Sequence, residues 1–339
     1  MTEVAEAGDV LREPLNVGIV GVTGEVGRTM LGILMERGLL IDDLRGFASE
    51  RSAGTVLELD RGDLVVEDAS SADFHGLDVV LFSAGGDVSR ALAPRVAASG
   101  ATVIDNSSAW RMHEDVPLVV AGVNNEALAH RPLGIIANPN CSTMILMRTL
   151  KALDTAAGLE AISVVTQQAV SGAGKSGTDE LDEQLRNPAA TPKVFPDRIA
   201  HNVLSQCGPL VGRDTEEELK LIFESRKILG LGDLAVSAMC TRIDVYVGHS
   251  LSVEARFRDE ISPEQAEDIV RMTSGIELDE MPTPQRAAGG DVTLVGRIRQ
   301  SGMFGKYGLS LFFAGDNTRE GAGLNAVMLA EYLARGAVL

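Results

Sequence analysis

LNVGIVGVTGEVG, from Leu15 to Gly27, decides the first part of the fold, because a short apolar run ends there in a glycine-rich turn. From the turn to Arg37 apolar residues recur at helical spacing, so the stretch predicts strand, turn and helix. Glycines let the backbone approach a pyrophosphate, and the first amides of the helix attract its charge. The spacing is GxxGxxG and not the dinucleotide fingerprint GxGxxG, so a tight turn without a ligand stays open as an alternative.

Further apolar runs alternate with helical segments up to about residue 140. Strands are predicted over 44–49, 77–86, 101–105, 118–124 and 134–140, and a helix is predicted over 88–98. This alternation is typical of parallel βαβ units in a doubly wound sheet, which binds ligands at the carboxyl ends of its strands. The first twelve or so residues are polar and are expected to be frayed.

The pattern changes after Cys141, where long β-branched stretches are separated by fewer helices. Strands are predicted over 159–170, 234–257 and 292–298, and helices over 142–153, 215–229, 263–275 and 324–333. We therefore expect an α/β protein with two domains. Residues 1–140 plus 317–339 would form a Rossmann-type dinucleotide-binding domain, and residues 141–316 an α+β domain with a mixed sheet.

Charge and cysteine content exclude several classes of partner and site. The chain of 339 residues has 30 Lys and Arg against 48 Asp and Glu, so neither nucleic acid nor membrane is expected as a partner. The three cysteines, Cys141, Cys207 and Cys240, form no CxxC pair, and neither a disulfide framework nor a metal site is expected. No signal-peptide pattern and no apolar run of ~20 residues is present, so a cytoplasmic protein is expected.

The end of the second predicted strand bears on the choice of cofactor. NAD-binding folds usually carry an acidic residue there for the ribose 2′-hydroxyl, whereas this chain reads Ser49-Glu50-Arg51-Ser52. An arginine and a serine suit a 2′-phosphate, because the guanidinium forms charge-assisted hydrogen bonds with it. NADP is therefore expected in preference to NAD, with a surface arginine without a ligand as the alternative.

Cys141 lies between a predicted strand and a predicted helix, in NPNCS (138–142). A helix N-terminus lowers the pKa of a thiol and so favours the nucleophilic thiolate. A thiolate beside a nicotinamide suggests addition to an aldehyde, hydride transfer and an acyl-thioester. Such a scheme needs a base, and among five histidines only His249 lies in a strand-rich segment, VYVGHSLSV (245–253). Cys207 and Cys240 lack this context and are expected to be structural.

Eight motifs in register resemble those of the aspartate-β-semialdehyde dehydrogenase family. They are GVTGEVG, ERSAG, DNSSAWR, NPNCST, QQAVSGAG, ESRK, RIDVYVGHS and GDNTREGAGLNA, in order from about Leu15 to the C-terminus. The resemblance implies NADP-dependent, phosphorylating oxidation of L-aspartate 4-semialdehyde, with 4-phospho-L-aspartate reduced in the biosynthesis of lysine, threonine and methionine. It also implies inorganic phosphate as co-substrate and a homodimer, in which residues 141–316 form the catalytic and dimerisation domain.

The resemblance also implies a role for each matching residue. Cys141 corresponds to the acyl-thioester cysteine, Gln168 to the glutamine that orients the substrate, and His249 to the general base. For the substrate, it places Arg242 on the α-carboxylate and Glu224 on the ammonium. Phosphate would bind Arg111 and Lys227, although Glu224 and Lys227 alone read as a solvated helix pair. The implied cofactor contacts are Thr23, Gly24, Glu25, Val26, Arg51, Ser52, Ser171, Gly172 and Asn317.

The chain departs from the family pattern at four places. These are Asp244 for a usual proline, Gln167 for Tyr or Thr, Ala121-Gly122 for Pro-Glu, and the stretch HNVLSQCG (201–208). Two enzymes of the same scaffold remain alternatives. An N-acetyl-glutamyl-phosphate reductase needs no carboxylate for a charged amine, and a CoA-thioester reductase needs no pair of phosphate ligands. An inactive paralogue used as a binding protein is the non-enzymatic alternative, but it need not retain Cys141, Arg242 and His249.

Overall fold

A computed structural model of the protein describes residues 14–60 and 62–335. The N-terminal stretch that was expected to be frayed lies outside these residues. The elements of the first half are β1 Leu15–Val20, α1 Glu25–Arg37, β2 Ile41–Ala48, β3 Val56–Leu57, β4 Leu64–Asp68, β5 Val79–Phe82, α2 Gly86–Ala98, β6 Thr102–Asp105 and β7 Ile135–Ala137.

The elements that follow build most of the second half. They are α3 Cys141–Ala157, β8 Leu159–Gln168, α4 Lys175–Arg186, β9 Val203–Leu204, β10 Leu210–Val211, β11 Asp214–Thr215, α5 Glu216–Leu229, β12 Ala235–Ile243, β13 His249–Phe257, α6 Pro263–Met272, β14 Ile276–Leu278, α7 Pro284–Ala287, β15 Thr293–Ser301, β16 Gly305–Gly315 and α8 Leu324–Ala334. A π-helical turn, Arg319–Gly323, leads directly into α8.

The first sheet has the strand order β3-β4-β2-β1-β5-β6-β7, and every pair in it is parallel except β3 with β4. The strand order reverses between β1 and β5, and such a switch point opens a crevice for a ligand at the carboxyl ends of the strands. The glycine turn after β1 lies at that crevice. The predicted Rossmann-type, doubly wound domain is confirmed.

The strand predicted over 118–124 is wrong. Only Leu118 forms a single bridge, with Ala137, and the chain then turns. The reason is Asn124, whose side chain accepts the N–H of Val120 and donates to the carbonyl of Leu118, both at 2.9 Å. The Asn124 side chain thus satisfies backbone groups that a neighbouring strand would otherwise bond. The buried apolar run is therefore stable outside the sheet.

The second sheet is mixed, with the order β14-β15-β16-β13-β8-β12-β9, and confirms the predicted α+β domain. The long predicted strand 234–257 is two strands, β12 and β13, joined by a loop that ends at Gly248 with φ +94°. A side chain at Gly248 would also meet the carbonyl of Pro284 at 2.5 Å, so only glycine fits where the chain re-enters the sheet.

The two faces of the second sheet differ. Helices α3, α5 and α6 cover one face. On the other face Val165 of β8 and Met239 of β12 are direct register partners, and both are exposed, at 39% and 56%. Side chains along β8 alternate between the two faces of the sheet, so Val164 and Thr166, on either side of Val165, are buried on the opposite face. The exposed pair Val165 and Met239 therefore belongs to a continuous outer surface.

Helix α8 packs against α1, β5 and β6 of the first sheet, although it follows the whole second sheet in the chain. Its residues Leu324, Val327 and Leu329 share a buried cluster with Val17 and Ile19 of β1. Within the described residues, no helix combines the length and the apolar composition that crossing a bilayer requires.

Candidate active site

The site is built around Cys141, the first residue of α3. Asn140 is the N-cap, and its Oδ1 accepts the N–H groups of Ser142 at 3.0 Å and Thr143 at 3.4 Å. This cap ends the preceding loop and starts the helix at the cysteine. Cys141 lines a cavity of about 230 Å³ between the two sheets.

His249, the first residue of β13, is fully buried beside the thiol. Its Nε2 lies 3.3 Å from Sγ of Cys141, and its Nδ1 accepts the backbone N–H of Ala169 at 3.1 Å. Both ring nitrogens therefore have a partner, which fixes the orientation of the ring beside the thiol. The nucleophile and the general base expected from the sequence are therefore in direct contact, and the role of His249 as the base stays a prediction.

The electrostatic setting of the thiol also differs from the expectation. Burial raises the pKa of Cys141 to about 11, and the Glu217 carboxylate adds to the effect, while Arg242, Arg111 and Lys220 oppose it. Burial therefore outweighs the lowering of the pKa that was expected from the helix N-terminus. The thiol is therefore protonated at neutral pH.

Within the part of the chain that the structure describes, Arg242 leaves most of its donors free for a ligand. Its Nη1 donates to the carbonyl of Ala169 at 2.7 Å, and the guanidinium lies 5.8 Å from the ring of Phe195. Close approach requires glycine at position 172, because a Cβ there would lie 2.6 Å from Nη1. A fork of free N–H groups at the cavity wall suits a carboxylate.

Glu217 and Lys220 of α5 line the cavity too, although the sequence motifs did not single them out. The carboxylate of Glu217 accepts from Asn140 Nδ2 at 2.9 Å, from Gln168 Nε2 at 3.3 Å, and from Lys220. Burial raises the pKa of Glu217, but the Lys220 charge and these hydrogen bonds outweigh it and lower the pKa to about 2. The carboxylate is therefore ionised at neutral pH.

Glu224 and Lys227, assigned to substrate and phosphate by resemblance, lie elsewhere and are corrected here. Glu224 is 1% exposed and forms a buried ion pair with Arg111, at 2.9 Å, and accepts the N–H of Asn140 at 2.7 Å. Lys227 donates to the carbonyls of Arg111, His113 and Val116, each at 2.8 Å. Its donors are all used, so it fixes the loop that contains Arg111 and does not face the cavity.

Arg111 lines the cavity and also bonds to the chain segments around it. Its Nε donates to the carbonyl of Asn138 and its Nη2 to that of Asn106, besides the ion pair with Glu224. A guanidinium has five N–H donors, so two have no partner among the residues that the structure describes. Arg111 and Lys220 together therefore offer unused donors and positive charge to an anion at one end of the cavity.

The predicted cofactor residues surround the other end of the cavity and the glycine turn. Gly24 caps α1 without a side-chain hydrogen bond, which leaves the first-turn amides free for a phosphate. A Cβ at Gly21 would lie 2.3 Å from the carbonyl of Ser83, and one at Gly27 would lie 2.1 Å from that of Gly21, so the turn packs only with glycine. These features fit a dinucleotide, with Thr23, Gly24, Glu25 and Val26 along the turn and helix start.

Two further groups of predicted cofactor residues are brought to different places. Ser171, Gly172 and Asn317 line the cavity with Val26, and Asn317 Nδ2 donates to Ser171 Oγ at 2.9 Å. Arg51 and Ser52 lie in a short 3₁₀ turn after β2, where Arg51 is exposed. Among the described residues, no carboxylate forms an ion pair with Arg51, so its guanidinium is available at the end of the strand.

The four departures from the family pattern make local contacts. Asp244 accepts the backbone N–H of His201 at 2.8 Å, so two divergent segments contact each other. The side-chain Oε1 of Gln167 accepts from Ser250 Oγ at 3.1 Å. The N–H of Ala121 donates to Asn325 Oδ1 at 2.8 Å. None of these residues lines the cavity.

Known proteins are similar to this chain over nearly its whole length. Residues 16–131 match the family described as semialdehyde dehydrogenase, NAD binding domain, and residues 150–320 match semialdehyde dehydrogenase, dimerisation domain. The aspartate-semialdehyde dehydrogenase of Streptomyces akiyoshiensis is 50% identical, covering 94% of this chain and 98% of its own.

Solved structures show the same relationship. Aspartate semialdehyde dehydrogenase II of Vibrio cholerae, complexed with ASA, matches with a TM-score of 0.93 at 41% identity, covering 96% of this chain and 99% of its own. The Candida albicans aspartate semialdehyde dehydrogenase with NADP matches with a TM-score of 0.77 at 25% identity, over 96% of this chain and 100% of its own.

Proposed function

The chain belongs to the aspartate-semialdehyde dehydrogenase family, and from this we propose that it interconverts 4-phospho-L-aspartate and L-aspartate 4-semialdehyde with NADP and phosphate, through an acyl-thioester on Cys141. We propose that it acts in the biosynthesis of lysine, threonine and methionine. The observation that carries the proposal is the cavity itself. One thiol at a helix start faces two arginines, a lysine and an ionised carboxylate within about 230 Å³.

Each charge of the substrate has a counterpart in the cavity. Arg242 presents its free fork to the α-carboxylate, and the ionised Glu217 accepts the ammonium group. Arg111 and Lys220 hold the phosphate, in place of the Arg111 and Lys227 pair assigned by resemblance. Gln168 is fixed by Thr166 and Glu217 at the cavity wall, so its amide orients the acyl group near Sγ.

The proposed cofactor site extends from the glycine turn to the cavity. The glycine turn and the start of α1 hold the pyrophosphate, and Ser171, Gly172 and Asn317 hold the nicotinamide end beside Cys141. When bound, the nicotinamide exchanges a hydride with the carbon attached to sulfur. Arg51 and Ser52 bind the 2′-phosphate, and the relative from Candida albicans, solved with NADP, supports this choice.

The cofactor choice predicts a selective effect of Arg51→Ala. A hydrogen bond to a charged group contributes roughly 1.5–3 kcal/mol, so the KM for NADP should rise roughly 10- to 100-fold. The KM for NAD should hardly change, because NAD has no 2′-phosphate for the guanidinium to bind. Steady-state kinetics with both cofactors measure this, with Glu50→Ala as the neighbouring control. A parallel rise for both cofactors excludes Arg51 as the 2′-phosphate ligand.

The two enzyme alternatives fit the cavity less well. An N-acetylated substrate has no charge to pair with Glu217, so its binding would bury the carboxylate against a neutral amide. A CoA-thioester substrate leaves the phosphate end formed by Arg111 and Lys220 without a ligand. An inactive paralogue would not need the contact between Cys141 and His249.

An assay of NADP⁺ reduction with phosphate tests the proposed function. L-Aspartate 4-semialdehyde should be preferred over N-acetyl-L-glutamate 5-semialdehyde by on the order of 10²-fold or more in kcat/KM, because only the first pairs with Glu217. Without phosphate, turnover should stop after about one NADPH per site, since the thioester has no acceptor. Equal rates with both aldehydes, or turnover independent of phosphate, contradict the proposal.

We further propose that the protein is a homodimer that pairs the outer faces of the second sheets. Residues 150–320 match a dimerisation domain, and this face exposes Val165 and Met239 side by side. A second copy of the same face would bury both residues, and the helices on the inner face leave it accessible.

A further inference from the structure

A second cavity lies between helices α1, α3 and α8, and it shares no lining residue with the cavity around Cys141. Arg37, Arg148, Lys151 and Tyr332 are among the residues that line it. Its volume is about 450 Å³, against about 230 Å³ for the cavity around Cys141. A ligand in the second cavity would therefore not compete for the groups that surround the thiol.

The lining of the second cavity is positively charged, although the chain as a whole is acidic. Arg37, Arg148 and Lys151 contribute three cations, whereas the complete chain has 30 Lys and Arg against 48 Asp and Glu. In the described part of the chain, Asp291 is the one carboxylate in the lining, and it is already paired with Arg319. The cavity therefore attracts anions locally, against the charge of the surrounding surface.

Arg148 is the buried group that points to a ligand. Its side chain is 7% exposed, and its Nη1 donates to Glu320 at 3.0 Å. Its Nη2 contacts the sulfur of Met328 at 3.8 Å, and a thioether is a weak acceptor. A guanidinium has five N–H groups, so three of those of Arg148 have no partner among the described residues. Buried donors are normally satisfied, so an acceptor in the adjoining cavity suits them.

Lys151 brings a second charge to the same wall of the cavity. It follows Arg148 by three residues on α3, a spacing that places both side chains on one face of the helix. Its Nζ lies 3.9 Å from the Asp154 carboxylate, which is beyond hydrogen-bond distance. A planar guanidinium beside a mobile ammonium suits a carboxylate or a phosphate group.

Two glycine-containing segments shape the space around these charges. Gly275, in the turn after α6, has φ +78°, and a Cβ there would lie 3.2 Å from Cδ and 3.3 Å from Nε of Arg148. Glycine therefore lets this turn pack against the arginine. Ala121-Gly122, where the family pattern has Pro-Glu, also lines the second cavity. The departure removes a carboxylate from this segment and so leaves the positive charge of the lining less opposed.

Helix α8 supplies an apolar wall. Leu324, Met328 and Tyr332 all line the second cavity, and their spacing of four residues places them along one face of the helix. Leu324 is buried, whereas Met328 and Tyr332 are partly exposed. An apolar surface beside a few charged groups is typical of a site for small organic molecules, in which the charged groups fix the orientation of the ligand.

We propose that the second cavity is a further binding site and that it takes a small organic anion. Arg148 and Lys151 bind the carboxylate or phosphate group of this ligand. Its apolar body packs against Leu324, Met328 and Tyr332. The site is separate from the proposed thiol chemistry, so the inference does not depend on which reaction the protein catalyses.

Phenyl phosphate and benzoate are suitable probes, because they share an apolar ring and differ in the anionic group. Ligand-observed NMR titrations on the full-length protein measure a Kd for each. At least one of them should bind with a Kd on the order of 1 mM or below, as is usual for ligands of this size. The tighter probe identifies the anionic group that the site prefers. If neither probe binds wild type at about 10 mM, the proposal is wrong.

Ala152→Glu tests where the probe binds. Ala152 lines the second cavity next to Lys151, so a carboxylate there repels an anion while both cations stay in place. The Kd should rise about tenfold or more. Ala156→Glu is the matched control, because Ala156 is exposed one turn later on α3 and does not line the cavity, and its Kd should equal that of wild type. Lys151→Met should also raise the Kd about tenfold or more, and it keeps the test decisive if Ala152→Glu does not fold.

Binding in the cavity around Cys141 would give the reverse pattern. Lys220→Met removes a cation from that cavity and should leave the Kd of the probe within about twofold of wild type. If Lys220→Met abolishes binding while Ala152→Glu and Lys151→Met bind as wild type does, the probe occupies the cavity around Cys141 and the inference is overturned. That outcome leaves the proposed function standing, because the assay with semialdehyde and phosphate decides it independently.

Discussion

Cys141→Ser should abolish turnover while leaving the fold and NADP binding intact. The hydroxyl keeps the shape of the side chain, but it is far less acidic than a thiol and a much weaker nucleophile. The cap by Asn140 and the contact with His249 do not compensate for this loss. We expect kcat to fall on the order of 10⁴-fold or more, as when a nucleophile is removed from other enzymes.

The other two cysteines provide matched controls. Cys207 and Cys240 are buried, and burial raises their pKa values further than that of Cys141, so neither forms a reactive thiolate. Cys207→Ala should keep the wild-type kcat within a few fold. Wild type incubated with aldehyde and NADP⁺ without phosphate should carry an acyl group on the Cys141 peptide, as seen by mass spectrometry. An adduct on Cys207 or Cys240, or full activity in Cys141→Ser, rules out the proposed mechanism.

Glu224→Ala should have the largest effect on stability. Removing the carboxylate leaves the Arg111 charge buried without its partner and leaves the N–H of Asn140 without an acceptor. Breaking a buried ion pair from one side costs about 3–5 kcal/mol of the free energy of unfolding. Chemical denaturation followed by circular dichroism measures this loss, with the midpoint shifted at unchanged slope.

Glu216→Ala is the control on the same helix, because Glu216 is exposed at the first residue of α5. Its removal should change the free energy of unfolding by no more than about 1 kcal/mol. The same measurements distinguish a structural role of Glu224 from a role in binding the substrate. If Glu224→Ala keeps wild-type stability and only raises the KM for the semialdehyde, then Glu224 is a substrate ligand, as the resemblance implied.

The choice between two glutamate-lysine pairs shows where sequence reasoning reached its limit. Glu217 with Lys220 and Glu224 with Lys227 have the same spacing of three, and they lie seven residues apart on α5. Seven residues are about two helical turns, so both pairs point to the same side of the helix. Which pair lines the cavity depends on how far α5 is shifted along its axis relative to the two sheets. In the structure the first pair lines the cavity, and the second contacts the loop that contains Arg111.

Local patterns predicted the first domain well where an element is bounded by hydrogen bonds between residues close in the sequence. Strand β1 and the end of α1 agree with the structure, because the glycine turn marks one boundary and Gly38 ends the helix in the left-handed conformation. The orientation of the His249 ring had no such signal. It depends on Ala169, which is 80 residues distant in the chain and is brought to the ring by pairing of β8 with β13.

The return of α8 to the first sheet has a consequence for the order of folding during synthesis. The cluster that contains Val17 and Ile19 of β1 needs Leu324, Val327 and Leu329, which leave the ribosome only after all strands of the second sheet. Until then, the nascent first domain exposes an apolar surface where α8 will pack, against α1, β5 and β6. The second domain thus begins to fold beside an unfinished partner, and chaperones have an exposed surface to bind until translation passes α8.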